Sequence, residues 1–158
     1  PDTTVHRLIR KYLFEHKMDE TFLNQLEVEL KNICEHSSER ERAAVDCERE
    51  VNDMKMAEYM MDHIGEQYQG MISSITSFGM FIELPNLIEG LIKMEELKDD
   101  YYTFDESTIS LIGNKNKRGY RVGDELDVIV SGANKEARTI DFVPATKENI
   151  KKYVKERQ

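Results

Sequence analysis

From residue 67 the chain changes texture, passing into five short runs rich in β-branched residues with turn residues between them. The runs fall at 68–75 (YQGMISSI), 80–84, 88–93, 125–133 and 138–143, each of strand length. Pro85-Asn86 makes a turn between the second and third, and residues 94–97 can form one helical turn. Residues 121–124 lead into the fourth run, and 134–137 form the turn of the last hairpin. The interval 101–120 is long for a simple connection, which predicts extra short strands around Tyr102 and Ile112. Five short strands with one long connection between the third and fourth fit a small five-stranded OB-fold β-barrel.

Upstream, the apolar spacing is helical. Val5, Leu8, Ile9, Tyr12 and Leu13 predict a first helix, with Asp2 or Thr3 available as its cap. Phe22, Leu23, Leu26, Leu30 and Ile33 predict a second over 21–34. Ser37-Ser38 reads as a break, and Ser38 with Glu41 is spaced as a capping box. A third helix is then expected over 39–63, with Gly65 as its stop. One narrow apolar stripe per helix makes a thin core. Residues 146–157 read as a short basic helix capped by Thr146. The expected class is α+β: a helical segment over 1–65, the barrel over 66–145, and a C-terminal helix over 146–158.

The formal net charge is −9, which excludes a generally basic nucleic-acid coat. Residues 1–66 carry 9 Lys/Arg against 16 Asp/Glu, while 67–158 carry 13 against 15. Within the second part, GNKNKRGYR at 113–121 has four basic residues and no acidic one, so Lys115, Lys117, Arg118 and Arg121 form a local basic loop. Cys34 and Cys47 have no zinc or redox spacing and read as reduced, largely buried thiols of a cytoplasmic protein. No apolar run approaches the ~18 residues of a membrane span, and no signal peptide is visible. The chain opens on Pro1 rather than Met, from which a processed or excised piece is expected.

Chemistry-bearing constellations are sparse. The pairs Asp99-Asp100, Asp105-Glu106 and Asp46/Glu50 lack a third ligand at a recognisable spacing and read as solvated surface. His6, His16, His36 and His63 all lie in the helical part, no two of them four apart. No nucleophile elbow or phosphate-binding glycine loop is present.

SFGMFIELPNLIEGLIKM, residues 77–94, is different. Phe78 and Phe81 are three apart, so in an unbroken strand they would point to opposite faces. Gly79 between them can take a bulge or a positive φ that brings both rings to one side. Exposed aromatic rings beside Lys or Arg hold single-stranded nucleic acid by stacking on its bases. From pattern alone, a ring in the core and a pair on the surface stay open as alternatives.

QGMISSITSFGMFIEL, EGLIKMEEL and YRVGDELDVIVSGANKEARTIDF, in that order, resemble the S-one RNA-binding domain over about residues 66–145. The resemblance implies that Phe78 and Phe81 are base-stacking aromatics. It places Lys93 where the family usually has histidine, and Asn134 and Arg138 at the polar and basic positions of the last hairpin. Lys93 would keep a positive contact but lose a flat ring, and Asn134 stands where an acidic residue is frequent.

PDTTVHRLIRKYL and SERERAAVDCEREVNDMKMAEYM extend the resemblance to ribonuclease R-type exoribonucleases, at the end of their catalytic RNB domain. That family degrades RNA from the 3′ end with Mg²⁺ and a cluster of aspartates, which is not found in this chain. Glu48 matches an acidic residue near that centre.

The resemblance therefore implies the C-terminal part of such an enzyme, which grips single-stranded RNA but is inactive alone. It implies no cofactor in this chain, and as partners single-stranded RNA and the remainder of the catalytic domain. The basic loop is a secondary contact. A free-standing RNA-binding regulator, or a protein-interaction module whose phenylalanines are core, are the competing expectations; the acidic charge favours the last.

Overall fold

The computed structural model describes residues 1–17, 19–115, 117 and 119–153. They divide into two compact units, Pro1–Arg49 and Glu50–Gln158.

In the first unit, α1 (Asp2–Leu13) starts after Pro1 with no side-chain cap, so Asp2 and Thr3 lie inside the helix rather than before it. Asp2 instead lies 3.4 Å from His6, one turn on. The second helix, α2 (Glu20–Met61), is opened by Asp19, whose carboxylate accepts the Phe22 N–H at 3.3 Å. It runs unbroken through Ser37-Ser38, where the sequence predicts a break and a capping box. Two serines cost a helix only a few tenths of a kcal/mol each, less than ending one helix and nucleating another. The flanking Glu, Arg and Ala residues carry the helix across. None of the described residues in 1–49 is buried. Cys34 and Cys47 are accordingly exposed, contrary to the expectation of buried thiols.

The second unit contains the predicted barrel. Its strands are β1 (Gln67–Thr76), β2 (Gly79–Glu83), β3 (Glu89–Lys93), β7 (Glu125–Asn134) and β8 (Thr139–Pro144). They close in the order β1-β2-β3-β8-β7, with β3 and β8 parallel through the single bridge Leu91↔Asp141 and every other neighbour antiparallel. Between β3 and β7 come a 3-10 turn (Met94–Glu96) and a separate three-stranded sheet. That sheet comprises β4 (Tyr102–Asp105), β5 (Ser110–Gly113) and β6 (Gly119–Arg121). The strands expected around Tyr102 and Ile112 are β4 and β5; β6, too short to leave a pattern, is an addition. A last helix, α3 (Lys147–Tyr153), is capped by the Thr146 hydroxyl, which accepts the Asn149 N–H at 3.3 Å.

Two bulges bend the long strands enough to close the barrel. In β1 the register passes from Ile72↔Ile82 to Ser74↔Phe81, leaving Ser73 over. In β7 it passes from Val130↔Phe142 to Gly132↔Asp141, leaving Ser131 over. An extra residue resets side-chain parity, so Ile72 and Ile75, three apart, are both buried. Each serine also ties its bulge to the partner strand. Ser131 Oγ donates to the Asp141 carbonyl at 3.0 Å, while Ser73 Oγ donates to the Glu89 carboxylate and lies 3.3 Å from the Phe81 carbonyl oxygen.

Inside, Ile72, Met80, Ile82, Ile92, Val128, Val130 and Phe142 form the core, joined by Ala57 and Met60 from α2 and by Leu111 from β5. Each large apolar side chain so buried contributes ~1.5–3 kcal/mol. In the small sheet, Tyr102 packs against Tyr120 and donates to Asp99 at 2.9 Å. Burial, and then the hydrogen bonds to Asp99 and Tyr120, push its phenol well above the ordinary tyrosine range.

The end of α2 is also tied down by charge. Lys135, in the β7–β8 turn, and Lys55 both bond Glu58 and hold its carboxyl at about 2, down from 4.5, the Lys135 hydrogen bond being the larger cause. A carboxyl depressed in the folded state stabilises above its unfolded pKa, and that contribution is lost as pH falls from about 4.5 towards 2. Carboxyl NMR titration is expected to find Glu58 near 2 and to show it rising towards 4.5 in Lys135→Met. An unmoved titration in that variant would exclude the pair as the cause.

Candidate nucleic-acid interface

Phe78 and Phe81 come together through a hairpin turn as well as through the positive φ expected of Gly79. Thr76 pairs with Gly79, so Ser77 and Phe78 are the two-residue turn of the β1–β2 hairpin, where strand parity does not apply. The Phe78 carbonyl accepts the Met94 N–H at 2.9 Å, which pins the turn to the end of β3. Phe81 lies between buried Met80 and Ile82 and so faces out of the barrel, half-buried. The two rings meet edge to face, centroids 6.1 Å apart and planes at 87°. Phe78 is 56% exposed, which rules it out as a core residue. Of the bulge or positive φ expected at Gly79, the structure gives the positive φ, +158°, while the bulge lies in β1 at Ser73. Gly79 is required by close approach, since a Cβ there would lie 2.2 Å from the Ile92 carbonyl oxygen.

Register places the rest of the surface. Phe81 pairs with Leu91 and Leu91 with Asp141, forming one outward row across β2, β3 and β8. Two residues beyond Leu91 is Lys93; two before it is Glu89, opposite Glu83. These residues line an open groove of about 660 Å³, together with Arg138 at the head of β8 and Asp53 and Met56 of α2. Of the residues proposed from sequence, the groove thus gathers Phe81, Lys93 and Arg138, with Phe78 in contact with Phe81.

Asn134 is not in the groove. Its Oδ1 accepts the Ala137 N–H at 2.9 Å and so shapes the β7–β8 turn, from which Arg138 emerges with φ +56°. None of Lys115, Lys117 and Arg121 lines the groove: Arg121 ends β6, and Lys115 and Lys117 lie in the β5–β6 connection. There the Lys115 N–H donates to both oxygens of Asp100, at 3.1 and 2.9 Å, and its ammonium lies 5.9 Å from the Tyr101 ring centre. Arg118 falls outside the described residues.

Sequence reasoning missed the carboxylates that hold the groove's two cations. Lys93 Nζ lies 3.1 Å from Asp141, and Arg138 Nη1 lies 2.7 Å from Glu50. Their partners are far apart in the chain and meet only through the tertiary fold, so no local signal could have found them. Glu50 did appear in the sequence, as half of a solvated acidic pair.

A family model described as "S1 RNA binding domain" matches residues 62–143, just over half of the chain. The chain belongs to the S1 RNA binding domain family. The S1 match covers the whole barrel and its inserted sheet up to Val143, the penultimate residue of β8. Over 90% of its length the chain is also similar to ribonuclease R proteins. It is 46% identical over 142 residues to Ribonuclease R 1 of Lactococcus lactis, of which it covers 17%, and 36% identical over 150 residues to ribonuclease R of Escherichia coli, of which it covers 18%.

Among solved structures, the apo form of Mycoplasma genitalium RNase R superposes with a TM-score of 0.84 at 30% identity, over 90% of this chain and 22% of that one. The same enzyme in complex with ribose-methylated single-stranded RNA gives 0.84 at 31%, with the same coverage. The chain therefore spans about a fifth of the length of the relatives it matches. Helical residues upstream of the S1 domain are included in that similarity. The Mg²⁺ implied for the ribonuclease R family finds no donor set here: among the described residues no three His, Cys, Asp or Glu side chains are arranged to hold a metal ion. No described helix is long and apolar enough to cross a membrane.

Proposed function

We propose that this chain binds single-stranded RNA across the outer face of β2, β3 and β8, with Phe78 and Phe81 stacking on bases and Lys93 and Arg138 meeting phosphates. The observation that carries this reading is the phenylalanine pair, Phe78 exposed and Phe81 half-buried, held edge to face beside a groove that contains both cations. Two rings at 87° do not accept parallel bases as they stand; one ring must turn, or the two take bases of different orientation. Phe78, on a turn and 56% exposed, has the room to do so. The likeness to an RNase R solved with single-stranded RNA supports the ligand class.

Stacking accepts any base, so little sequence preference is expected. In a ribonuclease R-like protein this part would hold substrate and pass its 3′ end to the remainder of the catalytic domain. On that reading the chain contributes grip and no hydrolysis, with its place in the cytoplasm.

Binding of a fluorescent single-stranded RNA, followed by anisotropy at several salt concentrations, tests the reading. The basic loop is a secondary contact in it. Replacing Lys115, Lys117 or Arg121 by glutamine should flatten the log–log salt slope by about 0.7 for each side chain that meets a phosphate. Unaltered slopes in all three variants would remove the loop from the interface while leaving the groove in place.

A further inference from the structure

For a phosphate-binding surface the groove is strangely acidic. Asp53, Glu83, Glu89 and Asp141 line it, against Lys93 and Arg138. Both cations are already occupied, Lys93 by Asp141 and Arg138 by Glu50. Asp141 is no chance neighbour: its register with Leu91 sets it in the same outward row as Phe81, within the proposed RNA path. Neither pair is sealed from water, since the side chains are 54% and 39% exposed in one and 41% and 63% in the other. Exposed pairs of this kind are worth little and exchange readily.

We propose that Asp141 and Glu50 are specificity determinants: by neutralising the two groove cations they make the site select single strands over duplexes. This rests on the groove being the RNA site proposed above. A duplex offers phosphates but keeps its bases stacked inside, so its affinity comes from cation–phosphate contact. On this surface each such contact must displace a carboxylate from the same cation, an exchange of one anion for another with little net gain. A single strand meets a smaller cost, since a phosphate contact counts about 0.7 per cation on it against about 0.9 on a duplex, and it also gives its base faces to Phe78 and Phe81. With the phosphate term suppressed, stacking decides what binds.

The test compares a single-stranded RNA with a blunt RNA duplex of the same sequence. Anisotropy would follow both from 50 to 200 mM salt for wild type, Asp141→Asn, Glu50→Gln, the double variant and Phe78→Ala/Phe81→Ala. Glu106→Gln, on the exposed β4–β5 turn, controls for the loss of one negative charge. Each phosphate contact changes duplex affinity about threefold between 50 and 200 mM salt, so freeing both cations should raise the ratio of duplex affinity at 50 mM to that at 200 mM about tenfold over wild type. The log–log slope should steepen by about 0.9 per cation on the duplex and about 0.7 on the single strand. The single-strand preference should shrink by the difference between these two gains, most at 50 mM, and the control should match wild type.

An unchanged preference in the double variant, or an equal shift in Glu106→Gln, overturns the proposal. If the phenylalanine variant loses single-strand binding while the preference stays fixed, only the role of Asp141 and Glu50 falls. If the phenylalanine variant binds like wild type, the site itself falls and this inference with it. Each single variant is read separately, so instability in the double variant does not obscure the result.

Discussion

Replacing Phe78 and Phe81 together by alanine is expected to remove measurable single-stranded RNA binding while leaving the barrel folded. Stacking is worth about 1–3 kcal/mol per base by alanine substitution. Two rings therefore carry roughly 2–6 kcal/mol, about 30-fold to more than 10⁴-fold in Kd. Little else in the groove can compensate, because Lys93 and Arg138 are each shared with a carboxylate. The cost to the fold should be small: Phe78 sits on a turn, 56% exposed, and Phe81 lies on the outer side of β2. Phe78→Ala alone should be the cleaner probe, since Phe81 is half-buried and pairs with Leu91 across β2 and β3. Circular dichroism and a thermal melt separate a binding defect from a folding defect. Affinity within threefold of wild type in a folded double variant would refute the stacking role.

The largest effect on stability is expected beneath that surface, where β3 passes over Phe142. Gly90 has no room for a side chain: a Cβ would lie 2.5, 2.7 and 2.8 Å from three atoms of the Phe142 ring, which is itself 1% exposed and cannot swing away. Gly90→Val should therefore cost at least the ~1–3 kcal/mol of an overpacked core. Phe142→Ala should cost ~3–5 kcal/mol through the cavity it leaves. Against a typical domain stability of about 5–15 kcal/mol, either is severe.

Combined, the two changes should cost less than their sum, because the valine enters the space the ring vacates. The expected coupling is about 0.5–3 kcal/mol. Urea midpoints at constant m-value measure it. Strict additivity would show that the ring is not the reason for a glycine at this position.

Much of the barrel was legible because its strands carry alternation bounded by turn residues, as in Met80, Ile82 and Leu84 around Phe81 and Glu83. The three-stranded insertion was half legible, since β6 has only Gly119, Tyr120 and Arg121 to show. Helix α2 was misread at Ser37-Ser38 because local signals for a cap compete with the length of helix on either side, and the sum decides. Burial of Cys34 and Cys47 was expected from residue type, but burial needs a covering element, and none of the described residues of 1–49 is buried.

At the site, the residue types at Phe78, Phe81, Lys93 and Arg138 could be picked out, and the parity puzzle could not be solved. Its answer lies in a hairpin turn confined to Ser77 and Phe78, with β2 starting at Gly79, one residue before the run expected at 80–84, and in the bulge at Ser73 on the opposite strand. Asp141 and Glu50 stayed hidden because ion pairing across a parallel seam, or between a helix and a turn, has no sequence period.

The single bridge Leu91↔Asp141 that closes the barrel also orders events in time. The β1–β2–β3 meander joins near neighbours in the chain, whereas the β3–β8 seam must bring together residues about fifty positions apart. Loop-closure entropy makes such a contact slow and late in folding. The aromatic pair is therefore assembled early and its charged companions, Arg138 and Asp141, arrive with the last strand. Low φ-values in the seam beside high ones in the β1–β2 hairpin would show that sequence of events, and the reverse pattern would refute it. A chain emerging from synthesis would thus expose its stacking rings before Asp141 and Arg138 stand beside them, and would complete the groove only when the barrel shuts.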